Sequence, residues 1–131
     1  VMIRLPESME RIWTMKAKGM REIEIAESLG ISRQAVNKSL KEAKAKLFEA
    51  FFSLAETFSW EIVRVNAEKG FMVARGKCGG RATRVYAFYI PEKGIMAFFD
   101  NEIPEFVLQH ALEFGIIKKP DKRELINALE S

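Results

Sequence analysis

Val36, Leu40, Ala43, Leu47, Ala50, Leu54 and Thr57 recur in steps of four, three, four, three, four and three, with no glycine or proline between them. A spacing of that kind is a heptad seam on one α-helix. If the helix runs from near Arg33 to about Phe58 it is about 40 Å long at 1.5 Å per residue. That is more than a compact three-helix unit needs. Phe48, Phe51, Phe52 and Phe58 add apolar surface beside the seam, so something has to cover it. The cover is either the chain's own C-terminal half or a second copy of the helix.

Upstream, Leu5, Pro6 and Glu7 open a first helix, since proline suits a first turn and acids there favour the helix dipole; Gly19 closes it. Met9, Ile12, Trp13 and Met20 are expected to face a second helix, which spans about Arg21 to Ser28 and turns Ile25, Ala26 and Leu29 inward. Gly30 supplies a left-handed turn residue, Ile31 is expected to plug the corner, and Ser32 is a natural N-cap for the long helix. Two helices crossing at a fixed angle need a small residue at the crossing, a permissive turn and an apolar residue behind the second helix. Ala26, Gly30 and Val36 fill those places, with Leu40 completing the small core.

This arrangement leaves Ser32, Arg33, Gln34, Asn37, Lys38, Lys41 and Lys44 pointing away from the core. From Arg33 to Lys46 the segment carries a net charge of +4, whereas the whole chain carries only +3, so the distribution says more than the total. Gln34 and Asn37 have the paired donor and acceptor that match an adenine edge, Arg33 or Lys38 can reach guanine acceptors, and Lys41 or Lys44 suits phosphates. The segment Glu22 to Lys41 resembles the helix-turn-helix of the phage Cro and repressor proteins, most closely in AVNKSLK. Leu5 to Leu47 is also similar to the region-four domain of bacterial sigma factors, to LuxR-type regulators and to archaeal Tfx-like proteins, through LPESMERIWTMKAKGM and EIAESLGISRQAV. The resemblance covers about a third of the chain and implies that the helix from Ser32 reads the major groove of double-stranded DNA. One small unit alone reads a groove weakly. The expectation is therefore a homodimer paired along Leu40, Ala43, Leu47, Ala50 and Leu54, and the alternative is a unit that docks on another protein.

Beyond residue 59 the pattern changes to alternation. Trp60 to Asn66 reads as a strand, Ala67 to Gly70 as a turn, Phe71 to Arg75 as a second strand, Gly76 to Gly80 as a loop, Ala82 to Ile90 as a third strand and Ile95 to Phe99 as a fourth after a turn at Pro91 to Gly94. A helix from about Pro104 to Phe114 and another from Asp121 follow, the latter with Asp121 and Glu124 at capping-box spacing. The fold class is α+β: an N-terminal three-helix helix-turn-helix with a long third helix over residues 1–59, then an antiparallel sheet of about four strands with two helices over residues 60–131.

Several other features bear on function. Arg75, Lys77, Arg81 and Arg84 stand in a glycine-containing segment without an acid, either a wing that touches phosphates beside the reading helix or a solvated connection. Cys78, the single cysteine, forms no internal disulfide, and beside those cations it could sense redox state. His110, the single histidine, falls with Val107, Ala111 and Phe114 on the inner side of its helix and reads as a hydrogen-bonded core residue. Glu102, Glu105 and Glu113 could join it around a metal, but no metal-ligand spacing supports that. Tyr86, Phe88 and Ile90 alternate with Tyr89, and a small effector could lie among these aromatic residues. No nucleophile and base, carboxylate dyad or metal motif points to an enzyme, and no cofactor is expected. The absence of an eighteen-residue apolar run and of signal-peptide character in Val1 to Pro6 gives the expectation of a cytoplasmic protein without a membrane partner.

Overall fold

The computed structural model describes residues 4–131, so Val1 to Ile3 of the N-terminal reading lie outside the described residues. Three helices come first, α1 (Glu7–Ala17), α2 (Glu22–Leu29) and α3 (Arg33–Thr57). Strands β1 (Glu61–Asn66), β2 (Phe71–Cys78), β3 (Arg81–Ile90) and β4 (Gly94–Phe99) follow, and α4 (Glu105–Glu113) and α5 (Lys122–Glu130) close the chain. The class is α+β, with the strands in the antiparallel order β1-β2-β3-β4.

The sheet is covered on both faces, which explains why Phe71 to Ala74 and Val85 to Ile90 are buried without a break. Alternation sends Met72, Ala74, Val85, Ala87 and Tyr89 to one face, where they meet Trp13 and Ala17 of α1 and Ala43, Leu47, Phe51 and Ala55 of α3. Phe71, Val73, Tyr86, Phe88 and Ile90 go to the other, against Val107, Leu108 and Ala111 of α4 and Leu125 and Leu129 of α5. The result is three layers. A core that joins α1, α3 and the sheet crosses the boundary expected at residue 59, so the two halves share their largest cluster of buried side chains.

That packing corrects the expected dimer seam. Ala43 and Leu47 are fully buried, Ala50 is 3% exposed, and Leu54 packs against the same cluster, while Leu40 lies in the small core among the first three helices. The chain's own sheet and α1 provide the cover. The periodicity was that of a helix on a sheet, which repeats with the same steps as a helix on a helix. The large apolar side chains left in solvent here are instead Phe48 and Phe52 of α3 and Phe58 at its C-cap.

Two links fasten the helical layer to the rest. Trp13 donates its indole N–H to the Ala67 carbonyl at 2.9 Å and sets its ring edge-on to Tyr89. Lys69 reaches from the β1–β2 turn to the carbonyls of Ala17 and Phe114 at 2.6 and 2.8 Å, bringing one cation to the C-terminal ends of α1 and α4, where the helix dipoles are negative. Gly70 makes room for this. Its φ is +76°, and a Cβ there would stand 2.7 Å from the Trp13 ring.

Other expectations are adjusted at the ends of elements. The segment Gly76 to Gly80, expected as a loop, is largely strand: β2 and β3 pair as far as Cys78 and Arg81, and only Gly79 and Gly80, with φ of +60° and +82°, make the turn. Asp121 caps α5 by accepting from the Arg123 N–H at 3.1 Å, but Glu124 accepts from the Lys118 N–H at 2.7 Å and does not close a box on Asp121. Ile31 is 39% exposed and does not plug its corner. Among the described residues no helix is long and apolar enough to cross a membrane.

Candidate nucleic-acid interface

The turn between α2 and α3 is built from three residues. Gly30 takes the left-handed conformation, φ 66° and ψ 34°, at the end of α2. The Ile31 N–H returns to the Ala26 carbonyl at 3.1 Å, closing the loop expected of a glycine C-terminal cap. Ser32 then caps α3, its Oγ accepting from the Ala35 N–H at 3.0 Å. Behind this turn Ile12, Ile25, Ala26, Val36 and Leu40 form a separate small core, with Met15, Met20 and Leu29 at its margin. The two ends of α3 are therefore held differently, the first by this helical core and the remainder by the sheet.

With Val36 and Leu40 buried, the other side of α3 must face out. Ser32, Arg33, Gln34, Asn37, Lys38, Lys41 and Lys44 are all exposed. Arg33, Asn37, Lys41 and Lys44, at steps of four, four and three, form one stripe about 16 Å long, and Gln34 and Lys38 stand beside it. Six cations elsewhere are paired with acids: Arg4 with Glu10, Arg11 with Glu7, Lys16 with Glu22, Arg21 with Glu24, Arg75 with Glu61 and Arg84 with Glu130. On α3, none of Arg33, Lys38, Lys41, Lys44 and Lys46 has an acid within ion-pair distance among the described residues. The first turn of α3 also contains no acid, so the positive end of its dipole adds to these charges.

The basic hairpin is not beside this face. Lys41, Lys44 and Glu68 line one small cleft, which places the β1–β2 turn next to the middle of α3. Gly76 lies against the Trp60 side chain, just past the far end of α3. The Gly79–Gly80 tip is thus at the opposite end of the sheet, on the order of 25 Å from Lys41 along α3. Two of its four cations are already paired, Arg75 with Glu61 at 2.6 Å and Arg84 with Glu130 at 3.2 Å. A wing flanking the basic face of α3 is excluded by that position. Cys78 is exposed near the tip, opposite Arg81.

The aromatic residues of β3 are used up in the cores. Tyr86 donates to Glu130 at 2.8 Å on the α5 side. On the other side Tyr89 accepts from the Leu5 N–H at 2.8 Å and donates to Glu10, which also binds Arg4. Burial first, and the Glu10 hydrogen bond second, push the Tyr89 hydroxyl up to about 12. The Arg4–Glu10–Tyr89 network had no signal in the sequence, since its members are far apart in the chain. No family model matches the chain, and no curated protein or solved structure matches it either.

Proposed function

We propose that the protein is a sequence-specific double-stranded DNA-binding transcription regulator that inserts the first half of α3 into a major groove. The observation that carries this reading is the unpaired polar and basic face from Ser32 to Lys44, on a helix whose opposite side is locked into two cores. A face of this composition would be poor at binding a protein, because the centre of such an interface is usually depleted in charge. For a groove it is suitable: Arg33, Gln34 and Asn37 stand nearest the helix start, where base edges are reached, and Lys38, Lys41 and Lys44 follow toward the flanking phosphates. Rigid attachment to the sheet also fixes the direction in which the helix projects.

Pairing of two copies is part of the proposal, but it is moved off the heptad seam. The rings of Phe48 and Phe52 lie 4.9 Å apart in solvent, on the same side of α3 as the proposed reading stripe and about one and two turns beyond it. A second copy bound at a neighbouring half-site would bury them. Fluorescence anisotropy with a labelled duplex tests the reading. Replacing Arg33, Gln34 and Asn37 together by alanine is expected to abolish preference for a selected duplex, with the fold retained. Unchanged duplex binding by that variant would dismiss the proposal.

A further inference from the structure

Away from α3, one side of α1, one side of α4 and the turn between β3 and β4 border an open cleft of about 530 Å³. Its volume lies in the range of small-molecule sites. Two of the residues that line it each carry a buried polar atom without a hydrogen-bond partner, Oγ1 of Thr14 on α1 and Nε2 of His110 on α4. His110 as a whole is 6% exposed, its ring stacked 4.2 Å from that of Phe114. A buried polar atom left without a partner costs about 1 to 3 kcal/mol, and such atoms are few in folded proteins. The two others among the described residues belong to Glu22 and Arg84, whose charges are met by Lys16 and Glu130 respectively. Thr14 and His110 have no such compensation, and they line the same cleft from different elements.

The charges around the cleft narrow the chemistry. Burial, with the nearby Lys18 ammonium adding to it, brings the His110 imidazole down to about 4, so it is neutral at ordinary pH and available as a hydrogen-bonding group. Glu10 is occupied by Arg4, Tyr89 and the Glu92 N–H. Arg11 is paired with Glu7 at 3.8 Å, and Lys93 lies over the Phe106 ring. Among the described residues this leaves Lys18, Lys93, Glu92 and Glu113 of the cleft without an ion-pair partner. Both signs are therefore free. A simple anion would meet two uncompensated acids, and a simple cation would meet Lys18 beside the unpartnered floor.

We propose that this cleft binds a small zwitterion of the amino-acid class, its carboxylate among Thr14, Lys18 and His110 and its ammonium toward Glu92 and Glu113. Phe106 and Met15 supply apolar surface for the ligand's side chain. The site joins α1 of the helix-turn-helix unit to α4 on the other side of the sheet, so occupancy would tighten the packing of the two layers.

Because His110 is the only histidine, ¹⁵N-labelled imidazole signals report on this cleft without assignment. The probes are the twenty common amino acids in pools grouped by side chain, followed by the deaminated and decarboxylated counterparts of any amino acid that binds. At least one pool is expected to shift the His110 ring signals saturably at millimolar concentration. The acid counterpart should bind at least tenfold more weakly and the amine should not shift them. Thr14→Val, which keeps the shape of the side chain, and Lys18→Gln should each weaken the amino acid tenfold or more while the unfolding temperature stays close to wild type. Ring signals unmoved by every pool would overturn the proposal, leaving ordered water as the partner of Thr14 and His110. Equal binding of the acid counterpart, or shifts indifferent to both substitutions, would overturn it as well. Duplex binding has no part in this readout, so its outcome is separate from that of the α3 reading.

Discussion

At the scale of single residues, the conformation of Ser59 shows how α3 ends. Its φ is +56°, and the Trp60 N–H reaches back to the Ala55 carbonyl at 2.8 Å, with Ser59 bonded to Glu56 at 3.2 Å. This is a Schellman end in which serine stands where glycine is usual. Relief of the left-handed strain means that Ser59→Gly should stabilise the protein by about 1 kcal/mol, a rise in unfolding temperature of a few degrees. Gly70 is the reverse case. Gly70→Ala combines an unfavourable φ with a methyl group pressed on Trp13, and a loss of about 3 kcal/mol or more in denaturant unfolding is expected. His110 makes a third prediction. Its folded pKa of about 4 lies below the ordinary 6.5, so between those values the unfolded chain takes up a proton that the folded chain refuses. Stability contributed by the neutral imidazole is complete above about pH 6.5 and falls as pH drops toward 4, by up to about 3 kcal/mol. Unfolding curves of wild type and His110→Gln should therefore converge or cross on acidification. Parallel curves would contradict the buried neutral ring.

At the scale of elements, α3 is proposed to do two jobs at once. Its inner side carries the sheet, and its outer side carries the basic face proposed to read DNA. Substitutions should separate accordingly. Asn37→Ala is expected to relax preference at one base position at a cost of about 1 to 3 kcal/mol. Lys41→Ala should weaken binding to all duplexes alike and reduce the salt dependence by about one unit of slope, which anisotropy titrations at several salt concentrations would measure. Leu47→Asp, by contrast, should unfold the protein rather than split a dimer. Most of this element was legible: Gly30, Ser32 and the uninterrupted run placed its start and length within a residue or two. The left-handed residue that closes it, Ser59, was not, because serine gives no warning of such a conformation. Its covering was not either, because seven-residue spacing is shared by helix pairs and by helices on sheets. Turn chemistry at Gly79–Gly80 was present in the sequence but read too broadly, and the strands on each side were shortened in consequence.

At the scale of the whole molecule, the sheet is a wall between two helical layers, with α1 and α3 anchored on one side and α4 and α5 on the other. The strands themselves could be read from alternation, and so could the partition of Tyr86 and Phe88 from Tyr89. Their double-sided burial explains what alternation alone left open, since β2 carries apolar residues on both faces. The joining contacts were hidden for a physical reason: Trp13 to Ala67, Lys69 to Ala17 and Phe114, and Glu10 to Tyr89 are pairings across long stretches of chain that no local pattern encodes. They make the two halves one packed unit, so the helix-turn-helix unit and the sheet are expected to unfold together in a single transition. Cutting the chain at residue 59 should leave an N-terminal fragment that does not fold by itself, which circular dichroism would show.

The central claim, that the outer face of α3 from Ser32 to Lys44 reads double-stranded DNA, is tested most directly by selecting bound duplexes from a random library with the wild-type chain and with the Arg33→Ala, Gln34→Ala, Asn37→Ala triple variant side by side. The wild type should enrich one short sequence, and the triple variant, still folded and still retained by DNA at low salt, should enrich none. Enrichment of the same sequence by both, or of no sequence by the wild type, would contradict it.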